Sequence, residues 1–516
     1  MARNFFITTA ISYPNGLPHI GHAYEVVAAD VIARFRRLAG DNVHFVTGTD
    51  DHGQKMFRTA RDRDMSAEAL ADEMTPAFRK LGEEFDCSYD DFIRTSEARH
   101  HEAVAEIWRR VQANGDIYKD TYSGWYSIRD EAFYGESELT KNEAGERVSP
   151  QGTPVEWLEE ESYFFRLSAY QERLLAHYEA HPEFIGPEGS RNEVVQFVKS
   201  GLKDLSISRS AFDWGVKVPD DPDHIVYVWM DALTNYLTAL GFPDEGGDLW
   251  KNFWPAGLHV IGKDITRFHA VYWPAFLMAA GLEIPERIFA HGFLTVRGEK
   301  MSKSAGNALE PSALVARYGA EAMRHFFMRD VPFGRDGGFD DAAIINRVNA
   351  DLANDLGNLA QRCLSMIAKN CGGTMPAPDA LAPEDETLLA QFDGLLPQAE
   401  EAIEACLIHR YLAAVFEAVS EANRYFARNE PWVLKNSDPT RMGIVLYVAA
   451  EAVRQAAILV QPVVPKGAGA LLDQLAVAPD ARDFAHLGET GRLEAGAKLP
   501  PPQSVFPRLA APEETA

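Results

Sequence analysis

Two pairs of side chains able to donate to anions, far apart in the sequence, have types and spacing suited to phosphate chemistry. The first is His19 and His22 in "PHIGH". Three residues apart at the start of a helix, they share one face, and the helix end offers unpaired N–H groups to an anion. Gly21, between them, leaves room for a flat ring against the backbone. The second pair is Lys300 and Lys303 in "RGEKMSKSAGN", residues 297–307, bounded by Gly298 and Gly306. Glycines permit close approach and movement, ammonium groups act as point charges on phosphate, and the flanking serine hydroxyls can donate. Together these residues could clamp a polyphosphate. Taken singly, each has a plainer explanation, a solvated loop or a pair of satisfied surface histidines. A zinc site is not suggested by the histidines, because no HExxH pattern accompanies them.

The surrounding elements must bring the two pairs together. "NFFITTA" reads as a strand ending in the loop "SYPNGLP", and the helix "HIGHAYEVVAADVIARFRRLAG" stops at Gly40. A second strand, "NVHFVTGT", precedes "DDHGQKMFRTARDRD", which begins another helix. Strand–loop–helix–strand order predicts an α/β fold with a doubly wound parallel sheet, whose ligands sit at the carboxyl ends of the strands. Residues 11–22 and 48–53 fall there. Asp50, at the end of the second strand, could hold a substrate ammonium or cap a helix. From residue 116 a turn-rich, aromatic, β-like stretch reads as an insertion. "HIVYVWMDALTNYLTAL" and "LHVIGKDITRFHAVYWPAFLMAAG" then return to strand–helix alternation. From about residue 341 the chain reads as helix, with apolar residues 345, 348, 352, 356, 359 and 363 at a helical period. On these helices Asn358 and Arg362 lie four apart on one polar face, and Trp432 in "EPWVL" could stack a base or half-fill a core. The Pro-rich end, "PPPQSVFPRLAAPEETA", reads as linker or frayed tail.

Composition narrows the class. The chain has 516 residues, a net charge of −26 and 24% charged residues, which argues against indiscriminate nucleic-acid binding but leaves local basic sites open. Its four cysteines form no CxxC pair, so no disulfide framework or thiolate zinc site is suggested. The N-terminus has no signal-peptide pattern. The longest apolar run, "GIVLYVAAEAV", is interrupted by Glu451 and reads as too short to cross a membrane. A cytoplasmic protein without membrane partner is expected.

"HIGH" after the first strand and "KMSKS" far downstream resemble the two signatures of class I aminoacyl-tRNA synthetases. "AISYPNGLPHIGHAYE", "FVTGTDDHGQK", "YVWMDALTNY", "IGKDITRFHAVYWPA", "NADLANDLGNLAQR" and "NEPWVL" together resemble the methionyl-tRNA synthetase family over residues 4–480. The resemblance implies a Rossmann-like catalytic domain with an inserted connective domain, followed by an α-helical anticodon-binding bundle. The corresponding spans here are 1–115 and 225–285 for the catalytic halves, 116–224 for the insertion and return, 286–345 for the lysine-loop linker, 346–480 for the bundle and 481–516 for the tail. It implies that methionine is activated with ATP and transferred to the 3′ end of tRNA(Met), including the initiator. It implies ATP contacts from His19, Gly21, His22, Lys300 and Lys303, with Arg209 near the pyrophosphate and Mg²⁺ as the ATP counterion. It implies a methionine pocket of Ile11, Tyr13, Asp50, Trp229, Ala232, Tyr236, Ile265, His269 and Trp273, with His269 either holding a tyrosine hydroxyl or approaching the sulfur. For the anticodon it implies Asn358, Arg362 and Trp432.

One feature departs from the family. Where relatives carry zinc-knuckle cysteines, this chain has Ser127, Asp130 and the stretch Val148–Gln151, with no thiolate in the insertion. No structural zinc is expected, and the insertion should be held by its own packing, with Trp125, Tyr126, Phe133, Tyr134 and Trp157 available. With no appended domain visible after residue 480, a monomer is expected. A small-molecule nucleotidyltransferase would share the HxGH helix but lack the helical tail. A non-catalytic synthetase-like regulator would have lost motif residues that are all present here.

Overall fold

β1 (Asn4–Thr9) is buried along nearly its whole length, as its run of apolar and hydroxyl side chains requires of a central strand. β2 (Asn42–Thr49) and β3 (Asp91–Arg94) extend the sheet on one side of it. β4 (Ile185–Gly186), β5 (Leu258–Gly262) and β6 (Arg287–His291) complete it on the other. All pairings in the order β3-β2-β1-β5-β6-β4 are parallel. The order reverses between β1 and β5, which places the ligand crevice at their carboxyl ends. These features are those of a computed structural model that describes residues 3–130, 132–142, 145–255, 257–296, 299–300 and 310–510. β4 lies inside the span expected for the insertion, yet it pairs with β6 in the catalytic sheet.

α1 (Ile20–Leu38) follows β1 and buries one broad face in the core, including Ile20, Tyr24, Val27, Val31 and Phe35. The insertion is built on a long antiparallel pair, Ile117–Ser127 with Glu156–Phe165. Tyr126 and Tyr134 are buried in it, but Trp157 is 55% exposed and touches only the edge of Trp125 among ring contacts of the described residues. Of the aromatic residues available for packing the insertion, Trp157 therefore contributes at the rim and not in the interior. Its strand faces solvent there, and indole packing gives way to a rim contact. The Phe133 side chain lies outside the described residues.

The positions expected to replace zinc ligands form a polar knot. Asp130 Oδ2 accepts from Ser149 Oγ and Thr153 Oγ1, each at 2.5 Å, and from Tyr134 OH at 3.1 Å. Ser127 Oγ lies 2.7 Å from Thr153 Oγ1 and accepts the Asp130 N–H at 3.2 Å. Tyr134 OH also reaches Gln151 Oε1 at 3.0 Å. Hydroxyl groups converging on one carboxylate tie together the two turns. Among the described residues no group of three or more metal-ligating side chains is found.

In the helical half, Ile345, Val348, Leu352, Leu356, Leu359 and Cys363 all join one core, as their period requires. The segment is not one regular helix. The α-helices Asp341–Val348 and Asn358–Asn370 are joined by a π-helical stretch, Asn349–Gly357. The helix Pro439–Val460 is long and apolar enough to cross a membrane, contrary to the sequence reading, but 94% of its apolar window is buried inside the bundle. Its Glu451 is satisfied there by Arg454, Arg492 and the Leu493 N–H.

The tail is also corrected. Up to residue 510 it is a packed strap. Phe506 sits over Gly467, where any Cβ would lie 2.3 Å from its ring. Asn349 and the Leu509 backbone exchange two hydrogen bonds, at 2.9 and 2.8 Å. Proline-rich chain has few donors of its own, and here the side-chain amides of Gln474 and Asn349 accept two of them, the Gln503 and Leu509 N–H groups. Finally, the buried Arg324 pairs with Asp30 of α1 at 2.7 Å and donates to Val463 O and Pro462 O at the end of the Pro439–Val460 helix. This contact links α1 to the bundle.

Candidate functional site

His19 is the N-cap of α1, and the two histidines build a reciprocal cap. His19 Nδ1 accepts the Gly21 N–H at 3.1 Å, and His22 Nδ1 accepts the His19 N–H at 3.0 Å. Each Nδ1 faces a backbone donor, so each neutral ring carries its proton on Nε2. The rings stack with centroids 3.8 Å apart. The result is a matched pair of Nε2–H donors at a helix N-terminus. Gly21 is needed for this: an added Cβ would meet His19 Cε1 at 2.9 Å. The flat ring that glycine admits is thus His19 itself. His22 is held from the other side by the edge of Phe78.

Asp50 lies just past the end of β2 and is nearly fully buried. Its N–H donates to Ser12 O at 2.9 Å, and Oδ1 accepts the His52 N–H at 3.3 Å and the Thr95 hydroxyl at 3.4 Å. It caps no helix, for the next one begins after Gly53. Ile11 and Tyr13 occupy the loop after β1 and are half-buried, and the Lys55 ammonium lies 5.0 Å from the Tyr13 ring.

The apolar candidates meet across the crevice. Trp229 and Ala232 lie on the helix Val228–Leu233. Trp229 stacks face to face on Phe268, with centroids 3.8 Å apart. Tyr236 and Trp273 are fully buried, their rings 6.1 Å apart. His269 Nδ1 lies 3.1 Å from Ile265 O, and its Nε2 lies 2.7 Å from Tyr236 OH. Because a carbonyl only accepts, the proton is on Nδ1 and the tyrosine hydroxyl donates to Nε2. Burial pushes the His269 imidazole down to about 4, so it is neutral. Of the two roles left open for His269, the geometry supports holding the tyrosine hydroxyl.

Arg209 ends the short strand Ser208–Arg209 and is almost completely buried. Its Nη1 donates to Ser208 O and Ser206 Oγ, and its guanidinium lies over Tyr227 and Tyr126. It lines a narrow cavity with His52, Trp214 and Asp231. Lys300 lies in the two-residue strand Glu299–Lys300, paired with Thr295 of the strand that follows β6. Lys303 and the rest of the loop lie outside the described residues.

On the bundle, Arg362 places its guanidinium over Phe426 at 4.9 Å and Trp432 at 5.6 Å. Trp432 is 41% exposed, and Asn358 is exposed one turn before Arg362. These three residues therefore share one surface.

Several site residues escaped the sequence reading. Glu25, one turn after His22, pairs with His291 at the end of β6 at 2.8 Å. Burial pushes the Glu25 carboxyl up. Burial opposes protonation of His291, but Glu25 holds its imidazole above the ordinary range. Phe268 was missed too, as were His52, His100 and Asp231. A carboxylate inside the apolar run "YVWMDALTNY" is the one sequence signal that pointed to the last.

Two family models match the chain. One, for tRNA synthetases class I (M), matches residues 5–364; the other, for the anticodon binding domain of methionyl tRNA ligase, matches residues 375–516. The chain is 59% identical to the methionine–tRNA ligase of Rhizobium meliloti over 509 residues, covering 99% of each. It is 55% identical to that of Mycobacterium tuberculosis strain H37Rv over 513 residues, covering 99% of this chain and 98% of the relative. Among solved structures it is similar to Mycobacterium tuberculosis methionyl-tRNA synthetase in complex with methionyl-adenylate, with a TM-score of 0.96 and 55% identity over 98% of this chain and 100% of the other. The apo form of that enzyme gives a TM-score of 0.89 at 52% identity, with 99% of each chain covered.

Proposed function

Since the chain belongs to the methionine–tRNA ligase family of class I aminoacyl-tRNA synthetases, we propose that its residues divide a two-step reaction as follows. The methionine carboxylate attacks the α-phosphorus of ATP; that P–O bond forms as the bond to pyrophosphate breaks. A ribose hydroxyl at the 3′ end of tRNA(Met) then attacks the aminoacyl carbonyl, and AMP leaves. The carboxylate is already ionised near neutral pH, so the first step needs no general base. Catalysis comes from alignment and from neutralising charge on the phosphates.

His19 and His22 supply their Nε2–H donors to the phosphates, beside the helix end at Gly21. Lys300 and Lys303 neutralise the leaving pyrophosphate, Arg209 assists, and Mg²⁺ accompanies ATP as counterion. Asp50 takes the methionine ammonium. Ile11, Tyr13, Trp229, Ala232, Tyr236, Ile265, His269 and Trp273 surround the thioether, which favours aromatic neighbours. Asn358, Arg362 and Trp432 receive unstacked anticodon bases. The catalytic, connective, linker and bundle spans follow the boundaries given above, and the protein acts as a cytoplasmic monomer.

The observation that carries this reading is the reciprocal cap of His19 and His22 at the start of α1, which leaves a matched pair of Nε2–H donors at the helix end. Methionine-dependent ATP–pyrophosphate exchange tests it, followed by charging of tRNA(Met). Exchange without methionine, or none with it, would overturn it.

A further inference from the structure

A fully buried carboxylate joins two histidines behind the crevice. Asp231 stands on the Val228–Leu233 helix between Trp229 and Ala232. Its Oδ2 lies 2.8 Å from His52 Nδ1, and its Oδ1 lies 2.8 Å from His100 Nε2. All three side chains are at most 2% exposed. His100 Nδ1 lies 2.9 Å from Thr238 Oγ1, and that hydroxyl also reaches Thr234 O at 3.1 Å. His52 is wedged between the rings of Trp214 and His101, each 5.3 Å away. Its backbone N–H donates to Asp50 Oδ1.

This row connects three elements that sequence keeps far apart. His52 belongs to the loop after β2, which also bears Asp50. Asp231 belongs to the helix that bears Trp229 and Ala232. His100 lies in the first turn of the helix Ala98–Ala113. Desolvating a carboxylate and two imidazoles is costly, and apolar side chains of similar volume would fill the space at no such cost. What the row adds is geometry. A carboxylate with a donor on each oxygen has a fixed plane, and each imidazole is fixed in turn.

We propose that Asp231 is a positioning residue for methionine recognition, acting through His52 to hold the Asp50 carboxylate in register with Trp229 and Ala232. The idea rests on the assignment of Asp50 and Trp229 to methionine made above. An ammonium–carboxylate contact and an aromatic wall for the thioether are useful together only at the spacing of one substrate. The row sets that spacing by a route that touches neither substrate.

The test compares wild type with Asp231→Asn, His52→Ala, His52→Asn and His100→Gln in the pyrophosphate-exchange assay, with melting temperature recorded for each. Asp231→Asn and His52→Ala are expected to raise the KM for methionine about 10- to 100-fold, the worth of a charge-assisted hydrogen bond. The KM for ATP should stay within about threefold of wild type. His52→Asn returns a donor at the Nδ1 position and should restore the methionine KM. His100→Gln keeps a donor at the Nε2 position and should remain close to wild type, which gives a reading even where Asp231→Asn does not fold. Equal rises in both KM values, an unchanged methionine KM in His52→Ala, or a His52→Asn variant as impaired as His52→Ala would overturn the proposal. Loss of methionine affinity in His100→Gln as large as in His52→Ala would do so too. Wild-type protein without methionine-dependent exchange would instead sink the functional reading itself.

Discussion

Replacing His22 with asparagine should separate its two tasks. In the structure Nδ1 accepts the His19 N–H and so closes the cap, while the opposite nitrogen carries the proton. Asparagine Oδ1 stands where Nδ1 stood and can still accept. Nothing then replaces the Nε2–H. Cap interactions of this kind contribute about 0.5–2 kcal/mol. A pre-aligned donor aimed at charge that develops in the transition state is worth about 10²- to 10³-fold in rate. His22→Asn should therefore leave the melting temperature unchanged and slow single-turnover adenylate formation by roughly that factor. His22→Ala should lose both, with a similar rate defect and a lower melting temperature. His22→Gln, which can place an N–H near the lost one, should recover part of the rate. The measurement is quenched-flow formation of methionyl-adenylate with saturating methionine and ATP. Adenylation by His22→Asn within a few-fold of wild type would refute the donor assignment. A melting temperature as low as that of His22→Ala would refute the cap argument.

Lys303→Ala should reduce the adenylation rate far more than methionine binding, since its charge is needed on the leaving phosphates; equal losses by kinetics and calorimetry would contradict the clamp. Trp432→Ala should impair tRNA charging and leave pyrophosphate exchange nearly intact, and a parallel fall in both would remove Trp432 from the anticodon surface. His269 is neutral in the fold with its imidazole near 4, while the unfolded chain protonates near 6.5. Between those values the unfolded state binds more protons, so this group makes stability fall as pH drops, by up to about 1.4 kcal/mol per pH unit, and contributes nothing above that window. His269→Gln should flatten the stability profile there, and denaturant melts in which it follows wild type would exclude the residue as the cause. Purified protein should contain no stoichiometric zinc, and strong chelators should leave charging unchanged once Mg²⁺ is restored. Elemental analysis finding about one zinc per chain, lost together with activity, would overturn the metal-free reading of the insertion.

What could be read in the sequence was whatever depends on short-range order. β2 begins and ends where "NVHFVTGT" does, since its flanking residues break the strand on both sides. The start of α1 at Ile20 follows from a polar cap, a glycine and a long apolar period after it. Asp50 stands just past the end of β2, at the carboxyl edge of the parallel sheet, as the order of elements in the sequence required. The Pro-rich strap of residues 500–510 was misread because composition alone carries no information about a distant seat. Its order comes from Gly467 and Asn349, which lie in other elements. The rim position of Trp157 was illegible for the converse reason: an aromatic side chain on a strand says nothing about whether a second layer covers that face.

The row of His52, Asp231 and His100 shows a more general limit. Each residue has an ordinary local explanation: a loop histidine, an acidic residue in a helix, a helical histidine near an N-terminus. Their meaning arises only when three elements converge, and no periodicity encodes that. The knot around Asp130 has the same character. Ser149 and Thr153 are small polar residues of a kind that loops commonly contain, yet in the fold both hydroxyls reach the Asp130 carboxylate, and Ser127 braces Thr153 and accepts the Asp130 N–H. Substrate-contacting groups are constrained by the chemistry of the ligand, which is the same wherever the reaction occurs, so short motifs betray them. Groups that hold those contacts in place answer only to the geometry of one fold, and can be met by many residue combinations. The supporting shell of this site is therefore where a sequence reading falls silent, and where substitutions should alter affinity without touching a motif residue.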